Sequence, residues 1–417
     1  MTLKEIIDKR YLTFLAASSA IFIIPIHVYY LPPFMILWGL CWVIENYSRF
    51  RLMMDTRKKY LLLFVFFISY YLWQAAGLIY SEDIKMGYLN LFGRLSLILF
   101  PLVLFYPGER IRKNTGTLLR LFASAAFIYM VYCFLRALFR SIVIDDGVWT
   151  FDPHPPEFFW LSYFYASQLT LPLHPSYISI YVLMSVMISL ESWFDHSMKH
   201  SFRYVWLIIA VLLAISIFFL SSRAGIICSL IMIPLYLMIK LKNMGRWRFA
   251  WLGVTLLLIS LLPLIIKNQR VASLFKKYFN ENTREEQPDE PRFTVWNLAL
   301  KISRQNLLLG VGIGDVRNEL VKEYEKNDEQ VMAEERYNVH NQFLEVLLEN
   351  GLIGAILFIS IFICMIYIAV IDRNILYGSF IFLIIFYSLF ETILYRLAGV
   401  SFFPLFSFLL LHYKNDR

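Results

Sequence analysis

The chain has 417 residues, 59% of them hydrophobic and only 17% charged, with a formal net charge of +8. Soluble domains carry about 25% charged residues, so there is too little charge here to cover a water-facing surface. An ordinary cytoplasmic enzyme, a disordered protein and a disulfide-rich secreted module are excluded, which leaves a polytopic membrane protein. At about 20 apolar residues per helical span, the length holds about twelve spans and one sizeable loop.

In chain order, Lys4, Lys9 and Arg10 precede an apolar stretch that continues to Tyr30. It is long and has no small-residue cleavage site at its end, so it reads as a retained first span rather than a signal peptide. The expected spans are Tyr11–Tyr30, Pro33–Ile44, Tyr60–Tyr80, Tyr88–Tyr106, Thr117–Phe139 and Leu173–Trp193, then Tyr204–Leu220, Ala224–Leu241 and Phe249–Ile266. The last three are Leu352–Ile371, Ile375–Phe390 and Leu397–Leu411. The predicted class is an all-α polytopic membrane protein of about twelve transmembrane helices, with a helical loop between the ninth and tenth. Its parts are residues 1–266 (spans one to nine), 267–351 (the loop) and 352–417 (spans ten to twelve). The four cysteines, Cys41, Cys133, Cys228 and Cys364, all fall in apolar runs and form neither a zinc site nor a disulfide framework.

Twelve spans put both termini on one side, and the charges support that register. With a cytoplasmic N-terminus, the inner loops hold Arg49, Arg51, Arg57–Lys59, Arg110, Arg112 and Lys113, then Lys199, Arg203, Lys240, Lys242, Arg246 and Arg248, and finally Arg373, Lys414 and Arg417. The outer segment Ser141–Pro172 has no Lys or Arg, yet carries Asp145, Asp146, Asp152 and Glu157. A slip of one span would invert half of this positive-inside pattern. The basic balance therefore reads as membrane topology, and no basic stretch with interleaved aromatics suggests nucleic acid. Asp145, Asp146, Asp152 and His154 carry hard ligands, but their irregular spacing in a Pro-containing loop reads as a solvated acidic loop, not a metal site.

The long outer loop, Lys267 to about Asn350, opens with a polar excursion, Asn280–Pro291. A partly buried helix is predicted over Arg292–Leu309, with Phe293, Trp296, Leu300, Ile302 and Leu307 as its apolar positions. Gly310-Val-Gly-Ile-Gly314 ends it; with no preceding strand this is a turn, not a nucleotide loop. After the charged stretch Lys322–Arg336, a second helix is expected over His340–Glu349, closed by Asn350-Gly351.

Ionisable residues inside or beside spans are costly and are functional candidates by default. On this topology Arg94, Arg140, His174, Arg223, Arg292, His340, Glu391 and Arg396 all fall toward the outer face. Arg136 and Arg140 read as snorkelling anchors. Arg223 lies outside against the positive-inside bias. Glu391 and Arg396 fit a structural ion pair closing a turn as well as a ligand role. Arginines gathered at one face suit an anionic ligand of the outer leaflet, such as a lipid-linked diphosphate, because each guanidinium holds phosphate oxygens in a fork.

Several of these residues fall in motifs. Arg292-Phe-Thr-Val-Trp296, Gly310-Val-Gly-Ile-Gly314, His340-Asn-Gln-Phe-Leu-Glu345 with Glu349-Asn-Gly351 and Gly354, Ser222-Arg-Ala-Gly225, and Glu391 through Arg396, Gly399 and Phe403 together resemble the O-antigen ligase/polymerase family. His174-Pro-Ser-Tyr177 resembles the ligase-type version. The resemblance covers the second half in detail and the first half only by topology.

The resemblance implies a bacterial inner-membrane glycosyltransferase, with both termini cytoplasmic and the large loop and active site in the periplasm. It implies a donor glycan on undecaprenyl diphosphate, an acceptor hydroxyl on lipid A-core or on another repeat unit, and no metal or nucleotide-sugar cofactor. It assigns catalysis to Arg223, Arg292 and His340; Arg396, Glu391, His174, Arg94, Trp296 and Asn341 are the expected substrate-binding residues. A transporter or flippase is the rival reading, but its ionisable residues would be expected near the membrane midplane in repeated halves, and no repeat is seen.

Overall fold

A computed structural model describes residues 9–46, 58–145, 147–156, 161–170, 173–245 and 291–413. In chain order the helices are α1 (Lys9–His27), α2 (Leu31–Asn46), α3 (Lys58–Ala76), α4 (Ile84–Gly93), α5 (Ser96–Phe105), α6 (Glu109–Lys113) and α7 (Thr115–Arg140). A hairpin of β1 (Ile142–Asp145) and β2 (Val148–Phe151) follows, then α8 (Ala166–Thr170), α9 (Pro175–Phe194), α10 (His200–Leu220) and α11 (Arg223–Asn243). The last part comprises α12 (Pro291–Gln305), α13 (Val316–Lys326), α14 (Gln330–Glu334), α15 (Gln342–Ile371), α16 (Ile375–Ser388) and α17 (Leu397–Leu409).

Among the described residues, eight helical stretches are long and apolar enough to cross a membrane, and Ile375–Ser388 and Leu397–His412 are shorter apolar helices. The first stretch, Lys9–Asn46, is itself folded back: Thr13 Oγ1 donates to the Cys41 carbonyl at 3.2 Å, so α1 and α2 run antiparallel. The predicted ninth span, Phe249–Ile266, lies outside the described residues. The outward faces are apolar, as in Ile363 (61% exposed) and Val370 (70% exposed) of α15, which suits lipid and not water.

Three expectations need correction. The chain is not all helix, since β1 and β2 pair antiparallel, Ile142 opposite Phe151, around Gly147 at φ +79°. The predicted fourth span is two helices, α4 and α5, broken at Arg94. The loop helix ends at Gln305 and not Leu309, and its buried stripe is Val295, Leu298, Ala299 and Ile302, whereas Phe293 and Leu307 are exposed.

Two hydrophobic cores result. The larger fills the bundle, with α9 at its centre: every residue from Pro175 to Ser192 is buried. Tyr181 donates to the Ala398 carbonyl (2.7 Å) and Tyr177 to the Thr392 carbonyl (3.1 Å), fixing α9 against α17. The smaller core joins Val295, Ala299 and Ile302 of α12 to Leu320 and Tyr324 of α13, Met332 of α14, Val339, and Leu348 of α15. It fastens the loop helices onto the first turns of α15.

The two ends of the bundle differ. At one end Lys59 pairs with Asp372, Arg10 with Glu109 (3.4 Å), Arg120 with Asp195 (3.7 Å) and Lys240 with Glu191 (2.7 Å). Tyr413 reaches Glu191 (3.4 Å), and Asn374 donates to the carbonyls of Leu410 and Tyr413, tying that end together. The other end carries α12–α14, the β-hairpin and the turn between α16 and α17.

Candidate active site

The site grows from the start of α15. Asn341 is its N-cap, its Oδ1 accepting from the amides of Phe343 (3.0 Å) and Leu344 (3.1 Å). The helix therefore begins at Gln342, not His340 as expected, and His340 is held in left-handed backbone at φ +51°. Non-glycine residues adopt that conformation where their surroundings over-determine it, and the partners here are specific. Trp296 Nε1 donates to the Val339 carbonyl (2.9 Å), and Asn338 Nδ2 donates to Thr392 Oγ1 (2.7 Å). Asn341 Nδ2 donates to the Leu389 carbonyl (3.3 Å), and the Leu394 amide donates to Gln342 Oε1 (2.7 Å). The His340 segment is thus clamped between α12 and the turn that leads into α17.

That clamp brings His340 Nδ1 to 3.5 Å from Glu391 Oε2, with the imidazole 39% exposed and the carboxylate 16%. Ser176 Oγ, on the first turn of α9, donates to the other carboxylate oxygen at 2.8 Å. Burial alone would push the Glu391 carboxyl up. The hydrogen bond and charge of His340, the Ser176 hydroxyl and the nearby His174 outweigh it and hold Glu391 below the usual glutamate range. Glu391 takes Ser176 and His340 as partners, not Arg396, so of the two readings left open for Glu391 and Arg396 the ion pair does not form.

Arg223 opens α11 beside this cluster. Ser221 turns the chain in left-handed backbone at φ +52°, and Ser222 caps α11 by accepting from the Gly225 amide (3.2 Å). Here α11 packs so closely that a Cβ on Gly225 would lie 2.9 Å from the Tyr387 hydroxyl and 3.0 Å from Ser179 Cβ. Tyr387 bonds Ser179 (2.7 Å), and the amide of Glu391 donates to the Tyr387 carbonyl one turn on (2.8 Å). Arg292 stands four residues before Trp296 on α12, hence on the helical face that meets Val339.

His174 caps α9, Nδ1 accepting from the Ser176 amide at 3.3 Å, and its ring is exposed. Arg396 caps α17 and is also exposed. The N-termini of α9, α11, α15 and α17 therefore meet at this one place. Each points the positive end of its dipole there. Arg223 and Arg396, at two of those N-termini, add positive charge, and such a field suits an anion such as a phosphate.

Arg94 is placed differently. It sits at the break between α4 and α5, buried, with Nη2 3.0 Å from Glu349 Oε2 and Nη1 bonded to Glu349 Oε1 and to Gln74 (3.2 Å). It locks α4 to α15 and is not gathered with the other arginines. Ser176, Asn338, Gln342, Tyr387 and Thr392 were not singled out by sequence. Ser176 lies inside the His174–Tyr177 motif and Thr392 follows Glu391, but neutral side chains leave no charge signal to mark them.

The fold and this cluster define a multi-pass helical membrane protein with a cationic site at one end of its bundle. A protein-family model described as O-antigen ligase matches residues 208–359. That segment contains Arg223, Arg292 and His340, whereas His174, Glu391, Arg396 and Arg94 lie outside it. No curated protein matches the chain. The family implies a membrane glycosyltransferase of ligase or polymerase type.

Proposed function

We propose that the protein is an O-antigen ligase, transferring a glycan from undecaprenyl diphosphate to a hydroxyl of lipid A-core at the periplasmic face of the inner membrane. The observation that carries this reading is His340 against Glu391 where four helix N-termini converge, two of them carrying Arg223 and Arg396. The acceptor oxygen attacks the anomeric carbon, the bond from that carbon to the diphosphate oxygen breaks, and the diphosphate leaves with the electron pair; the centre inverts. The acceptor's proton passes to His340. An ionised Glu391 accepts from Nδ1–H and leaves Nε2 free as the base.

Diphosphate is already a good leaving group, so the main need is charge stabilisation and positioning. Arg223 and Arg292 clamp it, with Arg396, His174, Trp296 and Asn341 completing the binding surface; Arg94 acts from beneath by holding α15 in place. His340→Ala and Arg223→Ala should each abolish glycan transfer in a complemented deletion strain while the protein stays in the membrane. Normal transfer by either variant would overturn the assignment. In the same strain lacking the protein, polymer accumulating on undecaprenyl diphosphate marks a ligase. Single repeats left on the lipid mark the family's alternative, a polymerase.

A further inference from the structure

A separate pocket of about 320 Å³ opens on the other side of the His340 segment, between α4, α13 and α15. Its volume is at the lower end of the range of about 300–1,000 Å³ in which small molecules bind. Its lining sets Asp83 and Glu349 against Arg94, Arg317 and Arg336, with Glu345 buried among them. Most of those charges are engaged with one another or with the fold. Asp83 caps α4 through the Met86 amide (2.9 Å) and Glu349 is taken by Arg94. Arg317 binds the Tyr395 hydroxyl and the Arg336 carbonyl (2.9 Å), and Arg336 donates to Asn318 Oδ1 (2.9 Å).

What remains is an alternation of single donors and acceptors. Glu345 is 4% exposed, lines the pocket, and its Oε2 has no hydrogen-bond partner. Asn90 spends its Nδ2 on the Ile313 carbonyl (2.9 Å), which leaves its Oδ1, and Asn318 keeps its Nδ2. A buried carboxyl oxygen without a partner is costly and calls for a hydrogen-bonding group opposite it. Hydroxyls both donate and accept, so a neutral ligand rich in them fits this wall as neither a diphosphate nor an apolar chain does.

We infer that this pocket binds a neutral sugar residue of the glycan acceptor. Asn338 lines the pocket and also anchors the His340 segment through Thr392. A glycan whose reacting hydroxyl lies at His340 can therefore extend its next ring into the pocket. This source of the sugar rests on the transferase reading; the sugar chemistry of the pocket does not.

The test is binding of methyl hexosides and N-acetylglucosamine to the detergent-solubilised full chain by saturation-transfer NMR, with thermal unfolding as a folding control. Binding is expected in the wild type, about 10-fold or more weakened in Asn318→Ala and in Asn90→Ala, which sit on different helices, and unchanged in His340→Ala. Binding that none of the pocket variants weakens, binding lost in His340→Ala, or competition by inorganic diphosphate would overturn the pocket. In transfer assays the pocket variants should raise KM for the acceptor; a rise confined to the donor would overturn the acceptor assignment. Free-sugar binding needs no turnover, so failure of the transferase reading and failure of the pocket are read separately.

Discussion

At the scale of single residues, Glu391 decides what His340 can do. Its carboxylate is half enclosed by the bundle, fixed by Ser176 on one oxygen and facing His340 with the other. Because its folded pKa is lowered, its contribution to stability is complete above the ordinary glutamate value of about 4.3 and drains away as pH falls through the lower folded value. Glu391→Gln should therefore flatten the acid limb of a thermal-unfolding profile below the ordinary glutamate value of about 4.3, and reduce glycan transfer by about 10-fold or more through a misoriented imidazole. Identical acid limbs in the two proteins would show that another group titrates there. In the sequence, Glu391 stands out by its charge beside a span and His340 by its motif, each separately. Their pairing was not legible, because it depends on Asn338, Asn341 and Gln342 tying two distant segments together.

At the scale of elements, the glycine motif and the break in α15 are one device. The Val311 and Gly312 amides donate to the carbonyls of Leu348 (2.9 Å) and Glu349 (3.0 Å), and the Leu352 amide donates to Leu307 (2.8 Å). Gly351 has φ +63° and ψ −165°, a region open essentially to glycine, and a Cβ there would strike the Leu308 carbonyl. Gly310 is equally constrained, at φ +78° against the Glu349 carbonyl. Asp315 then takes the amides of Glu82 and Asp83 (both 2.8 Å), binding the motif to α4. Gly351→Ala should destabilise the protein by roughly 1–3 kcal/mol. Gly378→Ala, in α16 with open space around it, should be neutral or slightly stabilising. Detergent melts compare the two directly, and an unchanged melting temperature for Gly351→Ala would show that the interlock does not hold the fold. The sequence reading took Gly310–Gly314 for a simple turn, since a local pattern carries no record of a partner about forty residues away.

At the scale of the whole molecule, ion pairs lie at both ends of the bundle. Lys59–Asp372, Arg10–Glu109 and Arg120–Asp195 lie at one end, and Lys301–Glu323 and Lys322–Glu319 on the loop helices at the other, which the β-hairpin marks with exposed Trp149 and Phe151. Cytoplasmic basic loops require that an impermeant maleimide label Trp149→Cys on intact spheroplasts and Ser197→Cys only after permeabilisation. Cys133, Cys228 and Cys364 are buried, and Cys41, which is only partly buried, is replaced by Ser in both variants. Labelling in the reverse order would invert the topology. What the sequence by itself determined is the membrane class and where most of the apolar helices fall, because lipid imposes a one-dimensional rule of about 20 apolar residues per span. What only the tertiary structure decided is which of the charges meet. Arg94 is drawn into the bundle by Glu349, whereas His340 is brought to Glu391 where the N-termini of α9, α11, α15 and α17 converge. Those outcomes follow from hydrogen bonds between segments far apart in the chain, and such pairings exist only once the helices have packed.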